Sequence, residues 1–192
     1  ADHISGVRDL DAEGVEGVIP EAAVDRGVTY ADELTTAADG DTFQVGDATI
    51  ETVYTPGHTT GMTSYLADDS LLATGDGLFI ESVARPDLEE GDEGAPDAAR
   101  LLYESLQERV LTLPDETLIG GAHFSDAAEP ASDGTFTAPI GARVAGVDRP
   151  PMAEGEVGDL VLSATAPPPV HYAGVLPPHR GLLHLRPARP PP

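Results

Sequence analysis

Asp2-His3, His58, Asp76 and His123 are the residues in this chain whose types could do chemistry together. Imidazole nitrogen and carboxylate oxygen are donors for borderline and hard divalent ions, and Zn²⁺, Fe²⁺ or Mn²⁺ would accept such a set. The chain has no Cys, which excludes thiolate ligands, disulfides and a Cys nucleophile. Each of these residues also has a plainer reading. A lone loop His is usually a solvated polar side chain. Asp76, between Gly75 and Gly77, is equally a turn-maker, and Asp2 could cap a following helix. The weight lies in recurrence, because each group follows an apparent strand and sits in a turn of small residues.

The elements that must position them are short and mostly extended. Residues 49–53 and 62–66 alternate well enough to read as strands. They flank Tyr54-Thr55-Pro56-Gly57-His58-Thr59-Thr60-Gly61, a turn that holds His58 at a sheet edge. Pro56 fixes φ there, and the two glycines permit turns that a Cβ would block. Residues 42–45, followed by Gly46-Asp47, predict a hairpin into the first strand. Residues 67–70 form an acidic turn into a strand at 71–74, which ends at Asp76. Residues 15–20 read as a short strand, 21–26 as a helical turn and 7–13 as a short helix. The spacing of Leu102, Leu106, Val110 and Leu113 predicts a helix over 98–113, capped by Asp97 and ended at Pro114. Residues 89–97 read as a solvated acidic loop. A strand at 117–121 delivers His123. Hairpins followed by helix, strand and His predict an α/β or α+β sandwich of sheets covered by helices.

Composition bounds the setting. The 192 residues suffice for one domain with a packed core. The formal net charge is −24, from 34 acidic and 10 basic residues, and every basic residue is Arg. Such a surface repels nucleic acid and anionic membranes, so neither is expected as a partner. The absence of Lys favours a proteome adapted to high salt, where screening relieves self-repulsion. There is no 18-residue apolar run and no visible signal peptide, so a cytoplasmic protein is expected. Composition breaks near residue 160. Residues 160–192 carry no Asp or Glu and hold nine of the 18 prolines. They are read as a Pro-rich basic tail, disordered or not native to the domain, and His171, His179 and His184 within it receive no metal role.

The order of motifs resembles the metallo-β-lactamase superfamily over about residues 1–140. Ala1-Asp2-His3 is similar to the end of that family's first His/Asp motif. Thr55–Gly61 is similar to its Gly-His turn, Thr74-Gly75-Asp76 to its Gly-Asp turn and Gly121-Ala122-His123 to its late His. Leu78-Phe79-Ile80 with Ala84-Arg85-Pro86-Asp87-Leu88 resembles the persulfide dioxygenase branch, and the chain also resembles glyoxalase II. The resemblance implies an αββα sandwich with metal at one edge of the sheets. It implies that His58 binds a first metal with two upstream histidines, that Asp2, His3 and His123 form a second metal site, and that Asp76 bridges or, in the dioxygenase branch, joins a single iron at the first site, with Asp2 and Asp76 also catalytic. Arg85 would contact an anionic substrate, against the plainer reading that it pairs with Asp87.

Two activities are implied. One oxidises a thiol persulfide to sulfite with O₂ at a single Fe²⁺. The other hydrolyses a thioester with one or two Zn²⁺. The family's two histidines ahead of Asp2, and the strands before them, are absent, so residues 1–159 are expected to be such a domain incomplete at its N-terminus. An inactive fragment without a complete metal site is the remaining alternative. An upstream rhodanese-like domain would favour sulfur chemistry, and a homodimer is compatible with the resemblance.

Overall fold

A computed structural model describes residues 16–24, 26, 34–124 and 128–143. The expectations for Asp2, His3, the helix over 7–13 and the tail at 160–192 lie outside the described residues. Those that are described fall into two compact units, one up to Ala37 and one from Ala38 onward.

In the first unit, β1 (Val18–Pro20) leads into one helical turn, α1 (Glu21–Val24), and pairs in parallel with β2 (Thr35–Ala37). Val18 stands opposite Thr35 and Pro20 opposite Ala37. The Thr35 hydroxyl donates to the Glu16 carboxylate. The strand and the helical turn match the pattern at residues 15–26, whereas β2 carries no periodic signal in its three residues.

The second unit is a six-stranded sheet in sequence order. It comprises β3 (Thr42–Val45), β4 (Ala48–Tyr54), β5 (Thr63–Ala67), β6 (Leu71–Gly75), β7 (Leu118–Gly121) and β8 (Ala138–Pro139). All neighbours are antiparallel except β6 and β7. The expected hairpins form at Gly46-Asp47 and at the acidic turn, where Asp68 and Asp69 take φ of 47° and 54°. Short acidic side chains tolerate the left-handed region better than branched ones. The Asp68 carboxylate also accepts the Thr49 N–H at 2.8 Å.

A parallel pair needs a crossover, and α2 (Gly91–Ser105) supplies it between β6 and β7. The helix starts seven residues before the expected 98. Its first turn is made from the stretch read as an acidic loop, with Asp92 and Glu93 favourably placed near the positive end of the dipole. Asp97 therefore lies within the helix and Glu90 takes the capping position, without a side-chain cap bond. Pro96 loses one N–H bond, but its fixed φ suits helical backbone.

From Leu106 to Val110 the helix widens into a π turn, with Leu111 N–H donating to Leu106 C=O at 2.8 Å. That widening suits the i, i+4 spacing of Leu102, Leu106 and Val110. On a regular α-helix each such step drifts by about 40° around the axis. All three side chains are buried, with Val53, Leu66, Leu72, Leu78, Ala99 and Ile119 among their core partners, and Leu113 packs against the same core. A short α3 (Ile140–Arg143) follows β8.

Candidate metal centre

Strand direction brings the candidate donors together. β4 and β6 each run antiparallel to β5, and β7 runs parallel to β6, so all three end at one edge of the sheet. The loop after β4 carries His58, the residue after β6 is Asp76, and His123 stands two residues beyond β7. Gly75 and Gly121 are in register, and Ala122 N–H donates to Gly75 C=O at 2.8 Å.

Asp76 lies between the two imidazoles. His58 Nε2 is 3.7 Å from Asp76 Oδ2, and His123 Nε2 is 3.1 Å from Asp76 Oδ1. His58 is 7% exposed, while His123 is over a third exposed. Phe79 meets the His123 ring edge-on, with centroids 6.0 Å apart.

Backbone devices hold each donor. Asp76 is aimed by a turn in which Gly75 takes φ of 52° and Gly77 N–H donates to Thr74 C=O at 2.9 Å. The buried Thr74 hydroxyl donates to Leu78 C=O at 2.6 Å. Around His58 the turn is pinned to α2. Gly57, at φ of 138°, lies against Leu102, and a Cβ there would stand 2.3 Å from Leu102 Cα. Ser105 Oγ donates to Pro56 C=O at 2.7 Å, and the Thr55 and Ser64 hydroxyls pair at 2.9 Å in the interior. His58 Nδ1 lies 2.9 Å from the Arg85 carbonyl oxygen. With the proton on Nδ1, that bond leaves the Nε2 lone pair facing Asp76, the tautomer a metal ligand needs.

Arg85 is thus beside the site through its backbone. Its guanidinium forks onto Asp87, with Nε 2.9 Å from Oδ1 and Nη2 bonded to Oδ2. The Arg85 hydrogen bond, strengthened by the Arg85 charge and opposed by burial, holds the Asp87 carboxyl below its usual range. Of the two sequence readings for Arg85, the pairing with Asp87 is the one seen here.

Two supporting residues escape sequence reasoning. Glu89, read as part of a solvated loop, accepts from Thr60 N–H at 2.6 Å and from the Thr60 hydroxyl at 3.2 Å. Nothing in a run of acids distinguishes it. Ser105 carried a signal, being a polar residue between Leu102 and Leu106 on the apolar stripe. Tyr54 completes the grip on Thr60, its hydroxyl donating to Thr60 C=O at 2.7 Å. Burial, and secondarily the Glu89 charge, pushes the Tyr54 hydroxyl's pKa up, so it stays a donor.

Among the described residues no three His, Asp or Glu side chains close around a common point as a ready ion cage. The arrangement is two His–Asp pairs sharing one carboxylate. Asp2 and His3 lie outside the described residues. Among the described residues, no helix is long and apolar enough to cross a membrane.

A layered α/β unit with His and Asp side chains collected at one sheet edge is the class defined by this fold and site. The sequence profile described as the Metallo-beta-lactamase superfamily matches residues 1–123, and the chain belongs to that superfamily. It is 38% identical over 86 residues to the mitochondrial persulfide dioxygenase ETHE1 of Homo sapiens, covering 44% of this chain and 32% of that protein. It is 39% identical over 89 residues to a hydroxyacylglutathione hydrolase of Rhizobium etli, covering 46% of this chain and 31% of the relative. The crystal structure of ETHE1 from Myxococcus xanthus superposes with a TM-score of 0.69 at 27% identity, covering 96% of this chain and 74% of that one. The chain therefore spans about a third of the length of the two curated relatives. Its fold is the metallo-β-lactamase fold, as its motifs imply.

Proposed function

We propose that this chain is the metal-binding part of a persulfide dioxygenase-like enzyme, with His58 and Asp76 as its donors to a single iron and Asp2, His3 and His123 at the second site of the family pattern. The carrying observation is Asp76, which turns one oxygen to each of two imidazoles across three converging strand ends. Nitrogen and carboxylate donors of this kind fit Fe²⁺ or Zn²⁺. The similarity to persulfide dioxygenases supports the sulfur chemistry.

The overall reaction is RSSH + O₂ + H₂O → RSH + H₂SO₃, in which the outer sulfur is oxidised, O₂ is reduced and the S–S bond breaks. Ferrous iron held here would supply open positions for both the sulfur and O₂. The chain's own residues orient and shield. The Arg85 carbonyl fixes the His58 ring, α2 closes the loop from behind, and Phe79 bounds the His123 ring. Contact between Arg85 and an anionic end of the thiol carrier belongs to this proposal and would compete with Asp87.

A second reading is thioester hydrolysis of the glyoxalase II type. It is favoured by the bridging position of Asp76, which suits two ions activating one water. Asp2 would then bind the second ion.

Oxygen uptake decides between them. The assay uses iron-loaded protein, with any residues encoded upstream of Ala1 included, and a low-molecular-weight persulfide in high salt. Uptake matched by sulfite release is the expected result. With iron shown to be bound, absence of uptake overturns the dioxygenase reading and directs the next assay to thioesters.

A further inference from the structure

We propose that Glu89 is a positioning residue for His58, holding the far side of its loop through Thr60 so that Nε2 stays aimed at the metal-facing side of Asp76. This rests on the metal-centre reading above.

Three polar anchors bracket His58 in the loop from Tyr54 to Met62. Before His58, Ser105 holds the Pro56 carbonyl at 2.7 Å. At His58, the Arg85 carbonyl holds Nδ1 at 2.9 Å. After His58, the anchor is Thr60, and each of its polar groups is gripped. Glu89 accepts from its N–H at 2.6 Å and its hydroxyl at 3.2 Å, while Tyr54 donates to its carbonyl at 2.7 Å.

Thr60 is exposed, so water competes for every one of these bonds. A carboxylate is the acceptor best suited to win, because charge-assisted bonds are about twice as strong as neutral ones. Glu89 is itself on a stiff segment. Arg85 and Asp87 are forked together, and the Asp87 carbonyl accepts Gly91 N–H at 2.9 Å as α2 begins. Residues 85–89 therefore fasten the His58 loop at two points, the imidazole and Thr60. Release of the second leaves the far side of the loop to its own backbone turn, in which Met62 N–H donates to Thr59 C=O at 3.2 Å, and loosens the frame around His58.

The plainer role for Glu89 is an acidic side chain near the N-terminus of α2, favourable to the helix dipole. That role affects melting but has no route to the His58 ring.

The test uses Co²⁺ alone as the probe, titrated by its visible absorption well below the melting temperature. It is paired with NMR observation of the His58 Nδ1–H and its exchange with water. Glu89→Ala is expected to weaken Co²⁺ binding about tenfold, the lower end for groups that orient a ligand from outside. It should also speed Nδ1–H exchange. Glu89→Gln keeps a carbonyl for Thr60 N–H and an amide for its hydroxyl, and should recover most of both.

Wild-type Co²⁺ affinity and exchange in Glu89→Ala would overturn the proposal. If that variant does not fold, Tyr54→Phe tests the same grip, and an unchanged affinity and His58 signal there would overturn it. A wild-type protein that takes up no Co²⁺ overturns the metal centre instead, while the Nδ1–H exchange still decides the role of Glu89.

Discussion

Gly57 lies so close to Leu102 that a Cβ on the glycine would stand 2.3 Å from the Leu102 Cα. Nothing in that contact is the end of a flexible side chain, so neither partner can yield without moving backbone. Gly57→Ala should therefore lose about 3 kcal/mol of stability, combining left-handed strain with forced displacement of α2. The midpoint of urea unfolding, followed by circular dichroism, measures it. A loss below about 0.5 kcal/mol, the range of an ordinary surface change, would contradict this packing.

Asp76 faces His58 with one oxygen and His123 with the other. Asp76→Asn keeps the shape and removes the charge. Zn²⁺ affinity should fall by more than about a hundredfold, beyond the range for groups that merely support ligands. The titration is to be run alongside a melting curve. Wild-type affinity in the variant would remove Asp76 from the donor set.

Asp87 gives the fold a pH dependence. Its folded pKa is lowered, chiefly by the Arg85 hydrogen bond. A lowered carboxyl contributes stability that is present above the ordinary carboxylate range and is lost as pH falls through the folded value. Asp87→Asn should cost about 1 kcal/mol at pH 7, as expected for a partly buried forked pair. The gap between variant and wild type should close as pH drops through the acidic range. Urea unfolding at several pH values reads the gap, and one that stays constant into strong acid would detach Arg85 from Asp87.

Thr52 is buried on β4, and its hydroxyl has no hydrogen-bond partner among the described residues. An unmatched buried hydroxyl is unfavourable, and Val has nearly the same shape. Thr52→Val should be neutral or should stabilise by up to about 1 kcal/mol. Thermal melting tests this, and a drop of several degrees would mean the hydroxyl is satisfied.

Local pattern made the strands and hairpins legible. Alternation over 49–53 and 62–66, the Gly46-Asp47 turn and the Asp68-Asp69 turn all concern residues adjacent in sequence, where sterics and side-chain period decide. The start of α2 was not legible. Pro96 and a run of acids resemble a loop, yet dipole complementarity and packing of the apolar stripe extend the helix back to Gly91. Glu89 was invisible for a related reason, since its partner Thr60 lies 29 residues away.

By itself the sequence determined which candidate donors were available, that none was a thiolate, and that His58, Asp76 and His123 would each stand in a turn just past a strand. Residue type, glycine and proline geometry and short-range alternation are properties of the chain alone. Tertiary structure decided the rest. The common direction of β4, β6 and β7 gathers the turns at one edge. Close approach of α2 at Gly57 and Ser105 fixes the loop, and the Arg85 carbonyl selects the imidazole nitrogen that faces Asp76. Those are contacts between segments far apart in the chain, and only packing of the whole sheet against its helix brings them within hydrogen-bonding distance.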